Sequence, residues 1–131
     1  MVSNKKIYYA HHQWKYNTEI EQYEINLIKS KFPQYKIINP NGGINFVNKD
    51  EENIMDKCLE EVRNSNILVF SSISGVVGKG VYLEVKEAYR NNIEVYLIFN
   101  NELYQGNFSF SIINESNRLY AIHSSKGEKQ R

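Results

Sequence analysis

Ile67-Leu68-Val69-Phe70 is an unbroken apolar run with turn signals on both sides, and it constrains the chain more than any other segment. A strand with no polar alternation has no face to give to water, so it belongs at the centre of a parallel sheet covered on both sides. Lys6-Ile7-Tyr8-Tyr9-Ala10, Tyr35-Lys36-Ile37-Ile38, Val95-Tyr96-Leu97-Ile98-Phe99 and Leu119-Tyr120-Ala121-Ile122 also read as strands. Helical patterns separate them. Thr18 and Glu21 form a capping-box pattern over Ile20, Tyr23, Leu27, Ile28 and Phe32, and Pro33 ends the run. Asp50 caps a second helix whose stripe is Met55, Cys58, Leu59 and Val62, closed by Asn64-Ser65. A loop of small residues, Ser71 to Gly80, leads into a third helix with Val81, Val85, Ala88 and Tyr89 on one face, and Phe108 to Asn114 reads as a short turn or helix. The alternation predicts an α/β fold: one doubly wound parallel sheet of about five strands, flavodoxin-like or Rossmann-like, in the order 2-1-3-4-5. Ligands of such sheets bind outside the carboxyl ends of the strands. In 131 residues, 41% of them hydrophobic, there is material for one core, so a single domain is expected over 1–123 with a polar, flexible tail at 124–131.

Several function classes are excluded by what is absent. The formal net charge is +1, which leaves no field to draw the chain to nucleic acid or membrane. No apolar run reaches spanning length, and the polar opening Met1 to Lys6 has no signal-peptide core behind it. One cysteine, Cys58, cannot form an intramolecular disulfide, which fits a reducing, cytoplasmic setting. His11 and His12 are adjacent and no other cluster has ligand spacing, so neither metal nor cofactor is implied. Gly78-Lys79-Gly80 lacks the P-loop spacing, although Ser72, Ser74 and the amides near Gly75 can hold a phosphate.

Glu84 stands in the first turns of the third helix, beside Val81 and Ala88 and close to the glycine loop. There a helix N-terminus favours an ionised, nucleophilic carboxylate, and the glycines admit a substrate to the backbone. The same position also suits a carboxylate that complements the helix dipole or pairs with Lys79 or Lys86. His11, His12 and Trp14 follow the first strand on the same edge; a histidine there can protonate a departing base and the indole can stack on one, or all three are ordinary loop and contact residues.

Lys6-Ile7-Tyr8-Tyr9-Ala10, Asn39-Pro40, Ser65-Asn66-Ile67-Leu68-Val69, and Gly80-Val81-Tyr82-Leu83-Glu84 followed by Ala88 together resemble, in order, the signposts of the nucleoside 2-deoxyribosyltransferase-like family. The resemblance covers roughly the first hundred residues. It implies that Glu84 attacks the anomeric carbon of a nucleoside, that Tyr8 orients it, and that Asn39, Asn66, Lys79 and Gly80 fall at substrate-binding positions. The family carries acids at the start of the third strand and just before the glycine, where they bind sugar and protonate the base; here Asn66 and Lys79 occupy those places. It further implies a homodimer or higher even oligomer, with pockets completed by a neighbour. The leading expectation is an N-glycosidic-bond hydrolase or transferase acting on a small nucleoside or nucleotide. The alternatives are a module that binds or sequesters a nucleotide without chemistry, with Lys79 favouring an anion, and a TIR-like dinucleotide glycohydrolase.

Overall fold

A computed structural model describes residues 5–44, 46, 50–116, 118–124 and 128–129. Along the chain run β1 (Lys6–Ala10), a 3-10 turn (Gln13–Lys15), α1 (Glu19–Lys31), β2 (Lys36–Ile38), α2 (Glu51–Arg63), β3 (Ile67–Ser71), β4 (Val76–Gly78), α3 (Lys79–Arg90), β5 (Glu94–Phe99), β6 (Glu102–Gln105), β7 (Phe108–Asn114), β8 (Leu119–Ser124) and β9 (Glu128–Lys129). The main sheet has the order β2-β1-β3-β5-β6-β9. Its first four strands are parallel, and β6 and β9 join antiparallel. No helix of the described residues is long and apolar enough to cross a membrane.

β3 sits between β1 and β5 with all five residues buried. Each fully buried aliphatic or aromatic side chain there stabilises the fold by about 1.5–3 kcal/mol, which commits the 67–70 run to the centre. The period of two divides the strands cleanly. Ile7, Tyr9, Ile67, Val69, Tyr96 and Ile98 pack with Ile28 of α1 and Phe32, its C-cap. Tyr8, Ala10, Leu68, Phe70 and Val95 pack with Cys58 and Val62 of α2 and Val81, Val85 and Ala88 of α3. Helices therefore cover both faces of a mostly parallel sheet.

The caps behave as the sequence suggests, with one difference. Asp50 accepts from the Asn53 amide at 2.9 Å, and Thr18 Oγ1 accepts from the Glu21 amide at 3.2 Å. The Glu21 carboxylate does not return to Thr18, however; it accepts from the Asn17 amide at 2.9 Å. Ile20 and Tyr23, expected on the packed stripe of α1, are exposed, while Glu21 and Glu24 are buried. The inward positions of the first turns of α1 meet His11 and Lys15, so carboxylates are stable there and apolar side chains are not needed.

Two expectations about the last third are corrected. Leu119–Ile122 is not the fifth strand of the main sheet: β8 pairs antiparallel with β4 and β7 in a separate three-stranded sheet. Phe108–Asn114 is strand β7, not a turn or helix, and its buried Phe108 and partly buried Phe110 face the α2–α3 side of the core. The fifth place goes to β6 because Asn100 and Asn101 both adopt left-handed backbone, φ 49° and 63°, making a two-residue turn that folds β6 straight back on β5. Of the expected flexible tail, Glu128–Lys129 pair with β6; 125–127, 130 and 131 lie outside the described residues, as do 45 and 47–49 of the loop before α2.

Candidate active site

The carboxyl ends of β1 and β3 point toward the start of α3, and a cavity of about 1040 Å³ opens there, lined by His11, His12, Tyr16, Cys58, Lys79 and Glu84 among others. Ligand sites run to roughly 300–1,000 Å³, so the space suffices for a nucleotide. Glu84, in the second turn of α3, has its side chain buried and accepts a hydrogen bond from the Tyr8 hydroxyl at Oε2. Burial pushes the Glu84 carboxyl up to about 7, against the pull of hydrogen bonds from Tyr8 and the Cys58 thiol. This corrects the expectation that the helix terminus favours the ionised form. Glu84 is the sixth residue of α3, beyond the first turn where the dipole acts, and desolvation wins. Burial and the neighbouring Glu84 charge raise Tyr8 well above its ordinary value, and burial takes the Cys58 thiol to about 11. Both stay protonated and serve as donors. Lys86 reaches the Tyr82 hydroxyl at 3.2 Å rather than Glu84.

His11 and His12 have different surroundings. His11 is buried; its Nδ1 lies 3.1 Å from the Tyr9 carbonyl oxygen, its Nε2 lies 2.7 Å from Glu21 Oε2, and its ring stacks on Tyr9 at 3.7 Å. Burial pushes its imidazole down, and the Glu21 hydrogen bond pulls it back. His12 is half-buried, accepts at Nδ1 from the Trp14 amide at 3.0 Å, and lies edge-on to the Trp14 ring. Trp14 itself is 73% exposed and does not line the cavity.

Lys79 and Gly80 open α3 on the cavity wall. Gly78 precedes them as N-cap with no side chain to offer, so the first amides of the helix have no side-chain cap between them and the cavity. Arg118, just before β8, lines the same wall. Ser72, Ser74 and Gly75 lie apart from it. Ser74 and Gly75, at φ 52° and 79°, form a two-residue hairpin turn between Ile73 and Val76, and the Gly75 amide donates to Ser72 Oγ at 3.2 Å. Asn39 closes the turn after β2, accepting from the Asn41 amide at 2.9 Å and the Gly43 amide at 2.8 Å. Asn66 lies at the opposite, amino edge of the sheet, where its Oδ1 accepts from the Lys6 amide at 2.9 Å. The structure thus gathers Glu84, His11, His12, Lys79 and Gly80 on the cavity lining, with Tyr8 bonded to Glu84 but off the lining itself, and leaves Trp14, Asn39, Asn66, Ser72, Ser74 and Gly75 outside the cavity.

Beside the site is a buried network whose residues carry no signal of function in the sequence. Lys15 Nζ donates to Glu24 Oε2, Ser71 Oγ and the Ser72 carbonyl, each at 2.9 Å. Glu24 Oε1 accepts from the Ser71 hydroxyl at 2.7 Å and from Tyr9. All three ammonium donors are used, the condition under which a buried ion pair is tolerated. It ties the 3-10 turn to α1 and to the end of β3. Glu21, Glu24 and Ile28 fall at helical spacing on one face, which is the one clue that these carboxylates point inward. Tyr16, Cys58 and Arg118 are further cavity residues that sequence reasoning misses: Cys58 reads as a core residue, and Tyr16 and Arg118 as loop. Among the described residues no group of three or more His, Cys, Asp or Glu is placed to hold a metal ion.

No model of a known protein family matches the chain, and no curated protein matches it.

Proposed function

We propose that this protein breaks the N-glycosidic bond of a nucleoside or nucleotide through Glu84, on a doubly wound, flavodoxin-like domain. The observation that carries the reading is Glu84 on the wall of a cavity large enough for a nucleotide, its carboxylate held by the buried Tyr8 hydroxyl. Tyr8 holds Oε2, leaving Oε1 to attack the anomeric carbon. The C1′–Oε1 bond forms as the C1′–N bond breaks and its electron pair leaves with the base. Water, or a second base, then displaces Glu84 from the glycosyl ester, so the product retains configuration. Lys79, Arg118 and the uncapped first amides of α3 are the groups on the cavity lining that suit a phosphate on the sugar, in a lining that also carries the acids Glu52 and Asp56.

A second reading is supported by Lys79, a cation on the cavity lining where the resembling family carries an acid: a module that binds an anionic nucleotide and does no chemistry. One experiment separates the two. Purified protein is incubated with a panel of nucleosides and monophosphates, and mass spectrometry follows both free base and retained ligand. Base released from any member supports the enzyme; intact ligand retained with no base released establishes the binder; neither outcome overturns both readings.

A further inference from the structure

We propose that His12 is the group that stabilises the departing base, as a neutral hydrogen-bond donor through Nε2. The inference rests on the glycosidase reading and names a residue for the half of the reaction that Glu84 and Tyr8 leave unserved. When the C1′–N bond breaks, negative charge accumulates on the base, and a donor must meet it. Asn66 is at the wrong edge of the sheet, and Lys79 stands at the start of α3 with the uncapped amides assigned to the phosphate. His11 is also unsuitable, since both of its ring nitrogens are engaged, by Tyr9 and Glu21.

His12 is arranged differently. An amide N–H can only donate, so the Trp14 amide at 3.0 Å makes Nδ1 an acceptor and places the ring proton on Nε2. The Nε2–Cδ2 edge lies against Gly78 on the cavity wall: a Cβ at Gly78 would fall 3.0 Å from Cδ2 and 3.5 Å from Nε2. A side chain at Gly78 would crowd the ring, so the glycine lets it sit this close to the start of α3. Burial, followed by the charges of His11 and Lys15, pushes the imidazole down, in keeping with a ring that stays neutral. The electron pair of the broken bond goes to the base nitrogen, Nε2–H donates a hydrogen bond to the base as it leaves, and the freed base takes its proton from water.

The test is leaving-group dependence. Wild type, His12→Phe and His12→Gln are compared on an adenine nucleoside and on a guanine nucleoside methylated at N7, whose base leaves neutral and needs no donor. His12→Phe should lower kcat on the adenine substrate roughly 100- to 1,000-fold with little change in KM, and spare the methylated substrate to within a few-fold. His12→Gln, which returns an N–H near the same place, should recover part of the loss. Equal losses on both substrates, or no loss on either, would overturn the assignment to His12 while leaving the Glu84 reaction intact. Wild type that cleaves neither substrate would sink the parent reading instead. Nitrogen NMR of the free protein adds a readout that needs no turnover: a neutral ring protonated at Nε2 is expected at neutral pH, and a ring protonated at Nδ1 would overturn the donor role.

Discussion

The Tyr8 hydroxyl donates to Oε2 of Glu84, a buried pair joining residues 76 positions apart in the sequence. It makes one oxygen of the carboxylate a fixed acceptor, on a residue that lines the cavity. Glu84→Gln should therefore abolish base release while leaving ligand affinity nearly unchanged, because the amide keeps the shape and is a very poor nucleophile. Chromatographic assay of free base, with calorimetric titration of the ligand, reads the two quantities separately. Base release at the wild-type rate in this variant would refute the nucleophile.

The raised carboxyl of Glu84 also fixes a pH dependence. Its folded value of about 7 exceeds the ordinary 4.5, so the native state holds this proton where the unfolded chain has lost it. The associated stability is fully present below about pH 4.5 and is lost as pH rises toward 7; it amounts to on the order of 3 kcal/mol. Denaturant titrations should show Glu84→Gln gaining stability over wild type on going from pH 5 to pH 8. Activity should move the other way, with kcat/KM rising through about pH 7 as the nucleophile ionises. Tyr8→Phe removes a hydrogen bond that lowers Glu84, so its activity profile should shift to higher pH; an unshifted profile would mean that Tyr8 does not tune the carboxylate.

Lys79→Ala should weaken a nucleoside monophosphate by roughly 1–3 kcal/mol, the range for a charge-assisted hydrogen bond, and leave the matching nucleoside unaffected. Titration of both ligands decides it. Equal affinities of variant and wild type for the monophosphate would remove the phosphate role from this residue.

The Lys15–Glu24 pair makes a prediction about folding. Lys15→Met alone, or Glu24→Leu alone, strands a buried charge and should cost about 3–5 kcal/mol. The double variant should recover much of that loss, and thermal unfolding of the three variants measures the coupling. Additive losses would show that the pair acts as two independent side chains.

The resemblance implies a homodimer or higher even oligomer, and Trp14, Ile20, Tyr23 and Phe99 are each about half or more exposed, as contact residues would be in an isolated subunit. Light scattering at assay concentration should return twice the subunit mass or an even multiple of it. A monomer would argue against pocket completion by a neighbour.

The parallel part of the sheet was legible because its signal is local. Ile67–Phe70 has no polar residue to misplace, and Asp50 and Thr18 announce their helices by the amides they cap. The closing third was misread for two reasons. Asn tolerates left-handed backbone singly, but two in succession carry no turn glycine to announce a hairpin, and the alternation Phe108, Phe110, Ile112 is short and breaks at Ile113, so it signals a strand only weakly. At the site, Glu84 and Tyr8 were legible from the order of short motifs. Cys58, Tyr16 and Arg118 were not, since nothing local distinguishes a helix-stripe cysteine or a loop side chain that ends at a cavity from one that does not. Asn66 was placed with the site on resemblance alone, and parallel strand geometry puts the start of β3 at the far edge.

Asn66 nevertheless bears on the strand alignment from which the site is built. Tyr8 and Tyr9 are adjacent and chemically alike, yet one serves Glu84 and the other Glu24 on opposite faces of β1. Which tyrosine meets which glutamate depends on the alignment of β1 against β3, and sliding one strand by a single residue would exchange them. Asn66 fastens that alignment at its first rung, donating its amide to the Lys6 carbonyl and accepting the Lys6 amide on its side chain, both at 2.9 Å. A residue at the far edge of the sheet thus adds one more latch to an alignment that the whole ladder and both buried faces hold, and that alignment is what gives two chemically identical hydroxyls different partners.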